Sequence, residues 1–186
     1  EQLLGREWLS NRYVAGRIFP RNDPPDDAYW HAMALDDMVD LEFMANVGVN
    51  GLPDGNLDTI LPGEVLEFYT DGTSSNPGDF IVTAANDFVL TQYMAGAFDA
   101  GIELGDACMV QVVPPEAFRT DYAVYTLPGW ERHVLTITRE ADAPIYLDGL
   151  DVDMSWDPAC TDIVEGYQFL RVDVGEGPHF LTSSAP

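Results

Sequence analysis

The chain has 186 residues, and 32 acidic against 8 basic side chains give it a formal net charge of −24. It lacks the basic residues that displace counterions from nucleic acid or anionic membranes, so neither is expected as a partner. With 46% hydrophobic and 11% aromatic residues it is no disordered acidic tail, and its length suits one domain or two small ones.

The first apolar run, Tyr13 to Phe19, is stopped by the Pro- and Asp-rich segment Pro20 to Asp27. Tyr29 to Leu35 and Val39 to Val47 follow, divided by Asp36-Asp37. Glu64 to Tyr69 alternates as a half-buried strand does, and Asp71 to Gly78 reads as a long turn. Phe80 to Ala84 and Phe88 to Met94 bracket Asn86-Asp87, which reads as a hairpin. Met109 to Val113 runs into Pro114-Pro115, neither of which can donate to a ladder. Tyr122 to Thr126 alternates, and His133 to Thr138 is the strongest strand pattern, β-branched and alternating. Ile145-Tyr146-Leu147 ends at Asp148-Gly149, a pair suited to the positive φ of a tight hairpin. Tyr167 to Val174 precedes Gly175-Glu176-Gly177, and Phe180 to Thr182 is the last run.

Strand signals thus recur at about 8–12 residues, with helical turns expected only at Glu1 to Trp8 and Pro115 to Thr120. The predicted fold is all-β, an antiparallel β-sandwich or two small packed sandwich modules with minimal helix. The small-residue stretch Gly96 to Gly101 suggests a boundary, with an N-terminal β module over 1–100 and a C-terminal β-sandwich module over 101–186. One continuous domain is the alternative.

Two cysteines, Cys108 and Cys160, sit in similar polar settings without CxxC or paired-His spacing, which argues against zinc and thioredoxin-type chemistry. A Cys108–Cys160 disulfide is expected, and with it an oxidising, extracellular or cell-surface compartment. No apolar run reaches the ~18 residues of a membrane span, so membrane insertion is not expected. The opening at Glu1 reads as that of a mature or cut fragment.

Asp54, Asn56 and Asp58 form a D-x-N-x-D run, the opening pattern of a calcium loop, because alternate oxygen donors in a tight turn converge on one point. The pattern then departs from an EF-hand, since Thr59 replaces the Gly and Val65 the bidentate Glu. Calcium is the one cofactor this suggests, against the plainer reading of a solvated acidic turn. Asp148, Asp151, Asp153 and Asp157 make a second acidic cluster, read as a solvated face. No G-x-S-x-G elbow accompanies the serines, and His31, His133 and His179 are scattered, so no catalytic residues are assigned. Trp130 and Trp156 lie in loop-like contexts and are the aromatic candidates for contact with a ligand or partner.

Four segments carry a resemblance: Ile81 to Tyr93, Gly105-Asp106 through Pro114-Pro115 to Tyr122, Leu147-Asp148-Gly149 with its flanks, and Tyr167 to Leu181. In order and spacing the chain resembles the IgGFc-binding protein N-terminal domain family, found in large extracellular proteins of bacteria and in animal mucus proteins. Gly105-Asp106, Pro114-Pro115 and the Leu-Asp-Gly turn match the family pattern, while Ala117 replaces its Gln. The resemblance implies a secreted or cell-surface binding or adhesion module without catalysis, whose partner is an extracellular protein or glycan. The alternatives are a structural subunit of an extracellular fibre, in which copies of the chain join by strand addition, and a glycan-active hydrolase using an Asp/Glu pair.

Overall fold

The computed structural model describes residues 5–19, 27–71, 77–96, 107–156, 158–162 and 164–185, with backbone alone for 159–162 and 164. The fold is all-β and antiparallel, as expected. The first sheet contains β1 (Ser10–Ala15), β2 (Ala28–Ala34), β3 (Val39–Ala45), β4 (Leu57–Ile60), β5 (Val65–Thr70), β6 (Phe80–Met94) and β7 (Cys108–Gln111).

β6 overturns the hairpin expected at Asn86-Asp87. It runs unbroken through both residues, neither of which has the positive φ of a tight hairpin turn. The strand bends there with its apex exposed, and Asn86 Nδ2 donates to the Met38 carbonyl at 2.9 Å. Before the bend β6 pairs with β3 and most of β1; after it, with β2, β7 and Ser10 of β1. Phe80, Val82, Phe88 and Leu90 all face one core, because the two-residue period survives the bend. The two halves of the sheet therefore close over a shared interior. Phe43 of β3 meets Phe68 of β5 at 5.2 Å, and Trp30 of β2 meets Phe80 at 4.8 Å, edge to face. Trp30 Nε1, fully buried, donates to Thr70 Oγ1 at 2.9 Å, so the indole N–H is satisfied.

The second half contributes β8 (Asp121–Thr126), β9 (His133–Glu140), β10 (Ile145–Leu147), β11 (Leu150–Asp151), the one-turn helix α1 (Val152–Ser155), β12 (Ala159–Asp162), β13 (Tyr167–Val174) and β14 (Gly177–Ser183). They form a four-stranded sheet, β11-β10-β14-β8, and a three-stranded sheet, β12-β13-β9. Ile145, Leu147, Val152, Leu170, Val172 and Leu181 fill the space between the two, a second sandwich. The expected helical turns are single 3-10 turns at Arg6–Trp8 and Pro115–Ala117.

β13 is buried on both faces. Its even residues Leu170 and Val172 face the second core, while Phe169 packs on Val14 and Ile81 of the first sheet. Gly16 lies against that ring so closely that a Cβ on it would sit 2.5 Å from Phe169 Cε1. Beside it, Asp79 and Arg171 form an ion pair with side chains 0% and 1% exposed. Asp79 Oδ1 also accepts the Arg17 N–H at 2.8 Å, and Arg171 Nη2 donates to the Arg17 carbonyl at 3.0 Å. Burial pushes the Asp79 carboxyl above its ordinary pKa, with Arg171 pulling against it. The stretch suggested as a module boundary lies outside the described residues beyond Gly96, and β7, which follows it, pairs with β6.

Candidate functional site

The outer face of the four-stranded sheet carries the most exposed aromatic surface that the strand register brings together. Val124, Leu181, Ile145 and Leu147 point inward, so their neighbours in sequence point out. Tyr125 lies opposite Pro178, Phe180 opposite Ala123, and Tyr146 opposite Thr182. Phe180 is therefore the diagonal neighbour of both Tyr125 and Tyr146, and the three form an oblique line across three strands. Tyr125, Phe180 and Tyr146 are 63%, 58% and 41% exposed. Pro178 is tolerated within β14 because β10 pairs only with Leu181 to Ser183, so no ladder bond is asked of its nitrogen.

A polar clamp underlies this stripe. Asp148 and Gly149 take φ of 53° and 79°, making the tight turn between β10 and β11. That conformation turns the Asp148 carboxylate back onto β14: Oδ1 accepts the Phe180 N–H at 2.9 Å and Oδ2 lies 2.8 Å from His179 Nδ1. His179 Nε2 lies 3.0 Å from the Gly175 carbonyl, which also accepts from Thr126 Oγ1 at 2.7 Å. Carboxylate and carbonyl are both acceptors, so the arrangement favours the ring with both nitrogens protonated. Asp148 first, then Gly175, raise the pKa of His179 above its ordinary value, and burial acts against them. The same bond to His179, followed by the Phe180 N–H, lowers the Asp148 carboxyl.

The second acidic cluster proves to be several separate devices. Asp148 holds His179; Asp151 caps α1, its Oδ1 accepting the Met154 N–H at 3.1 Å; Asp153 pairs with Arg139 at 2.8 Å. Asp157 lies outside the described residues. Asp54 and Asn56 are exposed on a 3-10 turn, and Asp58 Oδ1 accepts the Thr59 N–H at 2.7 Å. Among the described residues, no three or more His, Cys, Asp or Glu side chains gather in a metal-holding arrangement.

Trp130 is 61% exposed in the loop leaving β8, at the Tyr125 end of the stripe. Trp156 follows α1 and packs, half-buried, on the second core. Cys108 opens β7 half-buried, and the Cys160 side chain lies outside the described residues. A cleft of about 610 Å³ opens between the 3-10 turns at Arg6–Trp8 and Pro115–Ala117; its walls carry the exposed Glu7, Asp87 and Glu116 together with Trp8. Beneath it the buried Tyr13 hydroxyl donates to the Phe88 carbonyl at 2.7 Å, and burial pushes its pKa up to about 12.

Among the described residues no helix is long and apolar enough to cross a membrane. Neither the curated proteins nor the solved structures contain a match to this chain. The family model described as IgGFc binding protein matches residues 1–186, the whole chain. With its Leu-Asp-Gly turn seated on His179 and its all-β architecture in place, this chain belongs to the IgGFc binding protein family.

Proposed function

We propose that the chain is an extracellular binding or adhesion module that holds a protein partner on the Tyr125–Phe180–Tyr146 stripe and carries out no reaction of its own. The observation that carries this reading is the stripe itself. Three large exposed aromatic side chains stand along one sheet face of a molecule whose formal net charge is −24. Exposed aromatic surface of this kind is the material of interface hot spots. Family membership supports an extracellular protein ligand. The Cys108–Cys160 disulfide belongs to the same reading.

The test is binding of the intact chain to immobilised immunoglobulin Fc, to a panel of extracellular proteins and to a glycan array. Tyr125→Ala/Phe180→Ala is compared with Leu57→Ala/Val65→Ala, two exposed apolar residues on the first sheet. A protein ligand weakened at least about tenfold by the first pair alone is the expected result. Equal binding by both variants, or ligands found only on the glycan array, would refute it.

A further inference from the structure

A groove on the flank of the second sandwich has a charge character opposite to the rest of the molecule. β8 and β9 are edge strands, one from each sheet, and between them lies an apolar cleft of about 260 Å³. Val124, Leu135, Ile137 and Leu181 of the second core line it, so that core is open along this mouth. A smaller hollow shares Arg119, Tyr122, Ile137 and Leu181 with it and extends toward Ser183. Among the described residues no carboxylate side chain lines either hollow. Arg119 borders both, and Arg139, at the far end, is already held by Asp153.

Arg119 is the second observation. Among the described residues it is the one arginine whose guanidinium meets no carboxylate, carbonyl or aromatic ring. Its backbone N–H donates to the Tyr122 hydroxyl at 3.0 Å, which ties the preceding loop to the start of β8. In a chain with 32 acidic side chains, an exposed arginine without a partner above an acid-free apolar groove is complementary to a negative charge from outside.

We propose that this groove takes an extended peptide segment of a partner protein, apolar at alternate positions, with a carboxylate seated on Arg119. The rims single out a peptide. Among the described residues, β8 pairs with no strand but β14, and β9 with none but β12's neighbour β13. Each rim thus offers unpaired N–H and C=O groups that an extended backbone satisfies, while its alternate side chains fill the cleft. An acyl chain would fill the cleft and leave the rims unpaired. The aromatic stripe faces away from the second core and this groove opens into it, so the two surfaces are separate.

The test is selection of a random peptide library displayed on phage against the immobilised chain, followed by affinity measurements on the enriched peptides. They are expected to alternate apolar residues and to carry Asp or Glu. Arg119→Glu should weaken them about tenfold or more, and Lys in place of the acid should restore binding to that variant. Amides of β8 should exchange more slowly in the complex. Arg119 is exposed, so matched melting midpoints check that the variant folds. Tyr125→Ala/Phe180→Ala should leave these affinities unchanged, which separates this site from the stripe. Peptides without the acid or the alternation, indifference to Arg119→Glu, or no enrichment would each overturn the proposal. Saturable decanoate binding in place of peptide, or self-association abolished by Arg119→Glu, would do so as well.

Discussion

Asp148 and His179, 31 residues apart in sequence, meet at 2.8 Å, and the imidazole is held between that carboxylate and the Gly175 carbonyl. Because the folded state raises the pKa of His179, its stabilising contribution is complete below about pH 6.5, the unfolded value. It is lost as pH rises through the folded value. Asp148, whose pKa is lowered, contributes above about pH 3.9 and loses its contribution as pH falls through the folded value. The pair is therefore most stabilising between these limits. Melting midpoints measured from pH 5 to 9 should fall more steeply for the wild type than for His179→Gln, and identical slopes would contradict the clamp.

The buried pair of Asp79 and Arg171 should be costly to break and inexpensive to replace. Asp79→Ala leaves the buried Arg171 guanidinium without its carboxylate and the Arg17 N–H without its acceptor, and the expected loss is about 3–5 kcal/mol. Asp79→Leu combined with Arg171→Met should recover most of it. Urea unfolding measures both, and a single variant within about 1 kcal/mol of wild type would show that the pair is not sealed from water.

Gly16 is required by contact rather than by backbone conformation. A methyl group there collides with Phe169, so Gly16→Ala should cost about 1–3 kcal/mol. Gly175→Ala is the control, since a Cβ there meets nothing within 4 Å. Equal midpoints for the two variants in denaturant would mean that the first sheet and β13 do not pack as described.

The proposed Cys108–Cys160 bridge would close a long loop and add about 4 kcal/mol in the chain-entropy model. Peptide mapping without reductant should recover the two cysteines linked, and Cys160→Ser should melt lower. Quantitative alkylation of both thiols in the unreduced protein would exclude the bridge.

Most of the strands were legible because they alternate: His133 to Thr138 and Tyr122 to Thr126 appear as β9 and β8. β4 was not, because Leu57-Asp-Thr-Ile is a short polar edge whose apolar signal is one buried residue, Ile60. The bend in β6 imitated a hairpin, since Asn and Asp are exposed at bends as well as turns; the absence of glycine between the two runs was the available clue. The Asp151 cap was also concealed, for spacing alone presented it as one of a row of carboxylates. Arg17, Asp79 and Arg171 are separated by 62 and 92 residues, and no local pattern marks charges that will be buried together. The aromatic stripe needed the register, which pairs Phe180 with Ala123 and so sets Tyr125 diagonally beside it.

That separation of 92 residues also orders events at the ribosome. At about 5–20 residues per second, the guanidinium of Arg171 emerges some ~5–18 s after the carboxylate it neutralises. Until then the nascent first sheet carries a carboxylate with nowhere dry to go, and the Phe169 ring that covers Val14 and Ile81 has not been made. The amino-terminal layers cannot finish sealing before the carboxyl-terminal strands arrive.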